Sequence, residues 1–382
     1  MKELMVLILY ERDCGGETKA TEEIIKRIVY DDRVNIKVYA RKPLLKNDFF
    51  GFLSWLIISI IGWVLIIFKN RKTDWIYTTT YTSGVAAAIL KFFIGSKLCF
   101  HYHGSRIPHR NNRKKGIHRL SQKISHKVVS DLHRFFLKRS ELIMVPSFFS
   151  KNYLVNEFYS LEINKKIAVI PNGINLTRFA SGNKEIKNNL RHILRVKNNT
   201  KVILSIGRLN SLKNIHILIK AGIIFKLKKL NILIMIAYPK LVREEEFKYK
   251  KYLLKLVKQL KLQKNILWVE DEKNIPRLYQ LSDIVISLSA QENLPLIMLE
   301  SLVTKTLFAS VPAGGVNSIL EKVDQRLILE FDNEIILAER ITRLLKLPGK
   351  EKNFIVKRGY SIAKQFTWNK SANLILQKML NF

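Results

Sequence analysis

The chain of 382 residues carries 66 lysines and arginines against 31 acids, a formal charge of +35. Its hydrophobic fraction of 47% and aromatic fraction of 10% supply large cores, which excludes a disordered basic tail. Two cysteines, Cys14 and Cys99, cannot build a disulfide framework or, alone, a zinc site; a reducing compartment is expected.

At roughly 100–200 residues per domain, the length predicts two domains. The charge points to an anionic partner: nucleic acid, a membrane surface or a phosphate-bearing substrate. Biased codon usage explains it equally well, because the lysines are spread along the whole chain. The start, MKELMVLILYERDCGG, is too short and too acidic after its apolar run to read as a signal peptide.

Taken in chain order, Leu4–Tyr10 is an apolar strand, followed by Gly15-Gly16 and a helix over Glu17–Val29. Asn35–Ala40 alternates like a strand. Phe49–Phe68 holds 16 apolar residues in 20, the exceptions being Gly51, Ser54, Ser59 and Gly62. Its length suits a membrane span. A single crossing, however, would put its flanking strands on opposite sides of the bilayer. A helix dipping into one leaflet, or packed in the core, is expected instead, flanked by Lys46, Lys69, Arg71 and Lys72.

Trp75–Thr78, Lys97–His101 and Leu142–Val145 are further strands. Between the last two lies Arg106–Arg139, with eleven cations, one acid (Asp131) and four histidines at 109, 118, 126 and 133. It reads as a solvated basic face or as a docking surface for anionic lipid or a phosphate-bearing acceptor. The turn Pro171-Asn172-Gly173 marks the expected linker. The pattern then restarts, with strands at Lys201–Ile206, Leu230–Ala237, Ile266–Val269, Ile284–Ser287 and Leu307–Val311 and a helix over Ile215–Lys228. Strands alternating with helices predict parallel sheets covered on both faces. Two such series predict an α/β protein of two doubly wound, Rossmann-like domains, with ligands beyond the carboxyl ends of the strands.

Chemistry concentrates in a few places. Glu292 and Glu300 lie eight apart after the strand Ile284–Ser287, where two acids can accept hydrogen bonds from sugar or ribose hydroxyls. Pro295 would open the next helix as its first residue, and the helix start suits an anion. An ordinary helix with a surface glutamate fits the same pattern. Gly207 ends a strand, with Arg208 and Lys213 beyond it; a guanidinium fork and an ammonium suit a diphosphate, as two solvated cations also would. Gly314-Gly315 and Gly15-Gly16 read as close backbone approaches or as ordinary turns. Cys14 reads as packing. His101 and His103 follow an apolar strand, where core histidines are common.

Together these pieces resemble glycosyltransferase family 4, retaining enzymes of the GT-B fold. The resemblance spans nearly the whole chain. It rests on Ile170-Pro171-Asn172-Gly173-Ile174-Asn175 with Phe179, on GRLNSLKN at 207–214, on the Glu292/Glu300 pair and on Gly314-Gly315. SELIMVPSFFSKNYL (140–154) and FTWNKSA (366–372) are similar to the family's corresponding stretches.

The resemblance implies a GT-B fold with the two domains facing a central cleft. Residues 1–170 would form the acceptor-binding domain and 171–360 the nucleotide-sugar-binding domain; 361–382 would be a helix crossing back to the first. It implies that Arg208 and Lys213 bind the donor diphosphate, and that Glu292 contacts the sugar near the N–H groups of Asn293, Leu294 and Leu296. Glu300 would hold the ribose. Gly15, Gly16 and Gly207 would lie against the donor, and His103 near the reaction centre. Arg106, Arg113, Lys114 and Lys115 are the expected acceptor or membrane-docking cations.

The implied activity is sugar transfer, of a hexose in the first instance, from a UDP- or GDP-linked donor with retained configuration. A front-face reaction, in which the leaving phosphate takes the acceptor proton, is the family's usual explanation. No Asp-x-Asp pair occurs in the chain, so no metal and no cofactor are expected.

The membrane signals favour a lipid-linked glycan acceptor in cell-envelope polysaccharide, lipopolysaccharide or glycoprotein synthesis. The enzyme would sit on the cytoplasmic face as a peripheral or monotopic protein at an anionic membrane surface. The competing readings are a nucleic-acid-binding protein, disfavoured because no recognised module is present, a same-fold epimerase or phosphorylase, and an inactive scaffold. Departures from the family's pattern fall at Asn293-Leu294-Pro295, Lys305, Leu307, Ser318 and Ala237. They bear on donor identity.

Overall fold

The computed structural model describes residues 3–12, 16–41, 49–103, 117–180, 182, 184–194 and 196–382, with the backbone alone at 49–55, 117–126 and 184. Gly15, Cys14, Arg106, Arg113, Lys114, Lys115, Lys46, His109, His118 and His126 therefore lie outside the described residues or side chains. The chain divides into two compact units, 1–172 with 368–382, and 173–367.

The first unit contains β1 (Leu4–Glu11), α1 (Gly16–Ile28), β2 (Val34–Arg41), α2 (Phe49–Lys69), β3 (Trp75–Thr78), α3 (Tyr81–Ile94), β4 (Lys97–His101), α4 (Ile117–Arg139), β5 (Leu142–Val145), α5 (Phe148–Glu157) and β6 (Ile167–Val169). Among the described residues its strands form a parallel sheet in the order β2-β1-β3-β4-β5-β6. β1, β3, β4 and β5 are nearly continuous apolar runs because both sheet faces are covered. β2 is an edge strand and half exposed.

The crossovers β2→β3, β3→β4 and β4→β5 all step the same way across the sheet, whereas β1→β2 steps back. Right-handed connections therefore put α2, α3 and α4 in a row on one face and α1 on the other. The packing of α3 against both α2 and α4 agrees. α3 is bounded by chemistry: Thr80 caps its start, and Gly95, at φ +69, closes its end in the left-handed conformation.

α2 resolves the apolar segment. One of its faces is core: Leu56, Trp63 and Ile67 are buried, the Trp63 indole donates to Thr82 Oγ1 at 3.3 Å, and the Arg41 guanidinium lies over the Trp63 ring. Its other face is exposed. Among the described residues no helix is long and apolar enough to cross a membrane. α4 also departs from a purely solvated basic face. Val129, His133, Phe136 and Leu137 are buried, and His133 packs on Tyr81, Phe136 and Phe158. The charged positions of α4 sit around this helical core stripe.

The second unit contains α6 (Lys184–Ile193), β7 (Lys201–Ile206), α7 (Ile215–Leu227), β8 (Ile232–Tyr238), α8 (Glu244–Gln259), β9 (Ile266–Glu270), α9 (Ile275–Leu281), β10 (Ile284–Ser287), α10 (Leu296–Val303), β11 (Leu307–Ser310), α11 (Asn317–Val323), α12 (Glu334–Leu345) and α13 (Gly349–Ala363). Its parallel sheet has the order β11-β10-β7-β8-β9. From β7 the chain proceeds towards β8 and β9; from β10 it proceeds the opposite way, to β11. The reversal lies between the adjacent strands β7 and β10, and ligands of open α/β sheets bind at the carboxyl ends beside such a reversal.

The chain ends with α14 (Trp368–Leu380), which belongs to the first unit and packs on α1. Arg27 Nε donates to Asn369 Oδ1 at 2.7 Å, and Ser371 Oγ donates to the Pro171 carbonyl at 2.6 Å. Residues 361–367, assigned from the sequence to the returning segment, stay with the second unit: they complete α13 and pair Thr367 with Ile174.

Candidate functional site

In the second unit the loops after β7 and β10 meet at the reversal point. Gly207 ends β7 at φ +147, a conformation essentially confined to glycine, and its N–H donates to the Ala237 carbonyl at 3.0 Å. The strand thereby turns sharply into a short 3-10 turn over Ser211–Lys213. Asn214, left-handed at φ +50, starts α7 and donates from its side chain to the Leu288 carbonyl at 3.0 Å. The Ala290 N–H donates to the Leu212 carbonyl at 2.9 Å. The two loops are thus stitched together.

This arrangement places Lys213 Nζ 2.5 Å from Glu292 Oε1, a pair 79 residues apart in sequence and only partly exposed. Arg208, one residue past Gly207, is half-buried on the same loop. A cavity of about 10 Å³, room for about one water molecule, lies between the strand ends, lined by Gly207, Lys213, Ser287 and Ser289 among others.

α10 opens into the same region. Pro295 is its N-cap, at φ −71 and ψ 132, and Leu296 is the first helical residue. This corrects the expectation that Pro295 occupies the first helical position. Its carbonyl already accepts from the Met298 N–H at 3.2 Å, as an N-cap carbonyl does. No side chain caps α10. The N–H groups of Leu296 and Ile297, ahead of Met298, precede any intrahelical carbonyl they could reach, so this end can receive an anion. The side chains of Leu294 and Leu296 are buried in the core, which leaves only their backbone for a ligand; Asn293 is half-buried beside them. Gly314, at φ +56, lets the next loop fold back, and the Gly315 N–H donates to the Glu292 carbonyl at 3.2 Å.

Glu300 lies one turn into α10 and is 3% exposed. Its Oε2 accepts a 2.6 Å hydrogen bond from the Tyr279 hydroxyl. Burial, reinforced by the Glu300 carboxylate, holds the Tyr279 hydroxyl well above its usual range, so tyrosine keeps its proton and donates. Nothing in the sequence marked Tyr279, since its partner is 21 residues away on another helix.

In the first unit the corresponding reversal lies between β1 and β3. Gly16 opens α1 there and is exposed, and a Cβ on it would meet nothing within 4 Å, so the fold itself does not demand glycine. Glu11, at the end of β1, is buried and accepts from Thr82 Oγ1 at 3.2 Å.

One strand over, β4 ends in a histidine pair. His101 is 1% exposed, its Nδ1 lies 2.5 Å from the Tyr77 hydroxyl, and its ring centroid is 4.0 Å from that of His103. Burial raises the Tyr77 hydroxyl well above its usual range, so Tyr77 donates and His101 Nδ1 accepts. Burial, then the neighbouring His103, keeps His101 far below its usual range. Burial also lowers His103, to about 3. Both rings are therefore neutral at neutral pH, and His103 offers hydrogen bonds there but holds no exchangeable positive charge. Cys99 is buried, and burial pushes its thiol up. Among the described residues no cluster of side chains could hold a metal ion.

Residues 15–178 match the family model described as Glycosyltransferase Family 4, and residues 186–360 match the model described as Glycosyl transferases group 1. The chain belongs to glycosyltransferase family 4. Among curated relatives, N-acetyl-alpha-D-glucosaminyl L-malate synthase of Bacillus anthracis is 21% identical over 247 residues, which is 62% of this chain and 59% of that protein. D-inositol 3-phosphate glycosyltransferase of Corynebacterium urealyticum is 22% identical over 216 residues, 56% of this chain and 50% of that protein. The chain thus spans between half and three-fifths of the length of the curated relatives it matches. Among solved structures, HepE of Anabaena in complex with UDP-glucose aligns with a TM-score of 0.74 at 19% identity, covering 100% of both chains. The fold of this family 4 member is GT-B, two α/β units each built on its own parallel sheet.

Proposed function

We propose that the chain is a retaining glycosyltransferase that moves a hexose from a UDP- or GDP-linked donor to a hydroxyl of a lipid-linked glycan, in polysaccharide, lipopolysaccharide or glycoprotein glycan synthesis. The observation that carries the donor part is the Lys213–Glu292 pair at the β7/β10 reversal, beside Gly207 and the start of α10. An ammonium and a helix start meet there, with Arg208 on the same loop, and a diphosphate develops charge that such groups stabilise as the glycosidic bond breaks. Preorganised charge aimed at the leaving group is the larger catalytic term in such sites.

On this reading Arg208 and Lys213 stabilise the leaving diphosphate, Glu292 turns to the donor sugar once the diphosphate engages Lys213, and Glu300 receives the ribose. Gly15, Gly16 and Gly207 allow the donor close to the backbone, with the N–H groups of Asn293, Leu294 and Leu296 nearby. His103, kept neutral, hydrogen-bonds the sugar or acceptor. Arg208 and Lys213 supply the charge that a metal would otherwise supply, so the reaction runs without one. The acceptor domain is the first unit and the donor domain the second. HepE was solved with UDP-glucose, which supports a uridine nucleotide first among the donors to test. The acceptor part rests on membrane association at the cytoplasmic face, supported by the exposed apolar face of α2 and by the charge of +35, with Arg106, Arg113, Lys114 and Lys115 as further docking cations.

The test is nucleotide release from a panel of UDP-, GDP- and ADP-sugars, with and without membrane lipid extract, for wild type and Arg208→Ala. Release from one donor, stimulated by lipid and lost in the variant, supports the reading. A folded protein that binds none of the donors refutes it.

A further inference from the structure

α2 presents two faces. Leu56, Trp63 and Ile67 are buried on one, whereas Ile57, Ile58, Ile61, Leu65 and Phe68 are each more than half exposed. At 100° per residue these five fall within one arc of about 100°, opposite the buried set. Between residues 57 and 68 every position in this arc is aliphatic or aromatic. Monomeric soluble proteins rarely expose such contiguous apolar surface without a partner.

A second element extends it. α3 packs beside α2 on the same side of the sheet and exposes Phe92 (68%) and Phe93 (83%) in its last turn. Both helices run back to the edge where β3 and β4 begin, so Phe68 and the two phenylalanines end at the same rim. That rim carries exposed Lys69, Arg71 and Lys72, with the Arg71 guanidinium over the Phe68 ring.

We infer that this α2–α3 face is a membrane-insertion surface, which seats Phe68, Phe92 and Phe93 in the headgroup–acyl boundary of a bilayer containing anionic lipid. The charge decides between occupants. A second copy of a +35 chain would bring the same cations to the same rim and be repelled. Anionic headgroups meet them favourably while the apolar arc enters the acyl region. The two-faced packing also explains why the segment lies along a membrane instead of crossing it: Trp63 and Ile67 are committed to the protein core. This deepens the membrane-acceptor part of the proposed function and does not involve the donor site.

The test is co-sedimentation of the full chain with vesicles of phosphatidylcholine alone and of an equimolar mixture with phosphatidylglycerol. The variants are Phe92→Ser with Phe93→Ser, and Arg71→Glu with Lys72→Glu. All these side chains are exposed, so unfolding temperature and nucleotide binding in solution should match wild type. Wild type is expected to prefer the anionic vesicles. At about fivefold per juxtamembrane cation, loss of the two cations alone should weaken binding on the order of 30-fold, and the repulsion of the two introduced glutamates should weaken it further. The phenylalanine variant should lose at least about tenfold on both kinds of vesicle, because bound apolar area sets this term. Absence of wild-type binding would overturn the inference. So would undiminished binding by the phenylalanine variant, or a dimer abolished by that variant with no vesicle binding. Nucleotide binding with no vesicle binding would sink this inference alone and leave the donor reading intact.

Discussion

Lys213→Ala is the perturbation that separates a charge used on substrate from a charge used on the fold. Lys213 is 27% and Glu292 14% exposed, so their 2.5 Å ion pair is neither a surface pair nor a sealed one. Its loss should cost more than the roughly 0–1 kcal/mol of an exposed pair and less than the roughly 3–5 kcal/mol of a buried one. At about 2–4 °C per kcal/mol for a domain of this size, the unfolding temperature should fall by several degrees. Catalysis should fall much further. Removing a preorganised donor aimed at developing charge costs about 3–4 kcal/mol, roughly 100–1000-fold in rate. Nucleoside diphosphate affinity, measured by calorimetry, should drop roughly 10- to 150-fold for a charge-assisted hydrogen bond worth about 1.5–3 kcal/mol. The decisive arm repeats this in the Glu292→Gln background, where the ion pair is already gone. A further loss of diphosphate affinity there assigns Lys213 to the ligand. Unchanged affinity on adding Lys213→Ala to Glu292→Gln would take Lys213 out of the ligand site and leave it as a partner for Glu292.

Three further outcomes are expected. His101, His103 and His133 all have depressed values, chiefly through burial, so the unfolded chain binds protons that the native chain does not. Stability should therefore fall as pH drops from about 6.5 to about 5, by up to about 1.4 kcal/mol per pH unit per histidine, and His133→Leu should shallow the slope; an unfolding temperature flat over that window contradicts it. Tyr279→Phe removes the hydroxyl that holds buried Glu300, which should cost about 1–3 kcal/mol of stability and weaken nucleotide binding; a fully stable variant would mean another group satisfies Glu300. Transfer should survive EDTA at full rate, and its abolition by EDTA with restoration by a divalent cation would contradict a reaction run on Arg208 and Lys213.

Most strands were legible because a parallel sheet covered on both faces needs unbroken apolar runs. Trp75–Thr78, Lys97–His101 and Ile284–Ser287 stand where their apolar stretches stand. The three-residue β6 escaped because it is too short to stand out beside Ile170-Pro171-Asn172-Gly173. α2 was visible as an apolar helix, but its two faces were not: with hydrophobic residues at nearly every position, no periodicity distinguishes core from surface, and only packing against α3 does.

His133 was hidden in the opposite way, since the charge density of α4 masks the 3.6-residue stripe of Val129, His133, Phe136 and Leu137. At the site, the glycines, Arg208, Lys213 and both glutamates were legible as residue types in a resembling order. Their partners were not. The Tyr77–His101 contact depends on β3–β4 register, and Tyr279–Glu300 depends on how α9 lies against α10. Neither is written in local spacing.

Everything proposed for the donor depends on the β7/β10 reversal binding a nucleoside diphosphate. Equilibrium titration of UDP, GDP and ADP into the wild-type protein tests it without sugar, acceptor or lipid. Saturable binding of one of them is expected, weakened by salt and by Lys213→Ala. A folded protein that binds none of the three would contradict it.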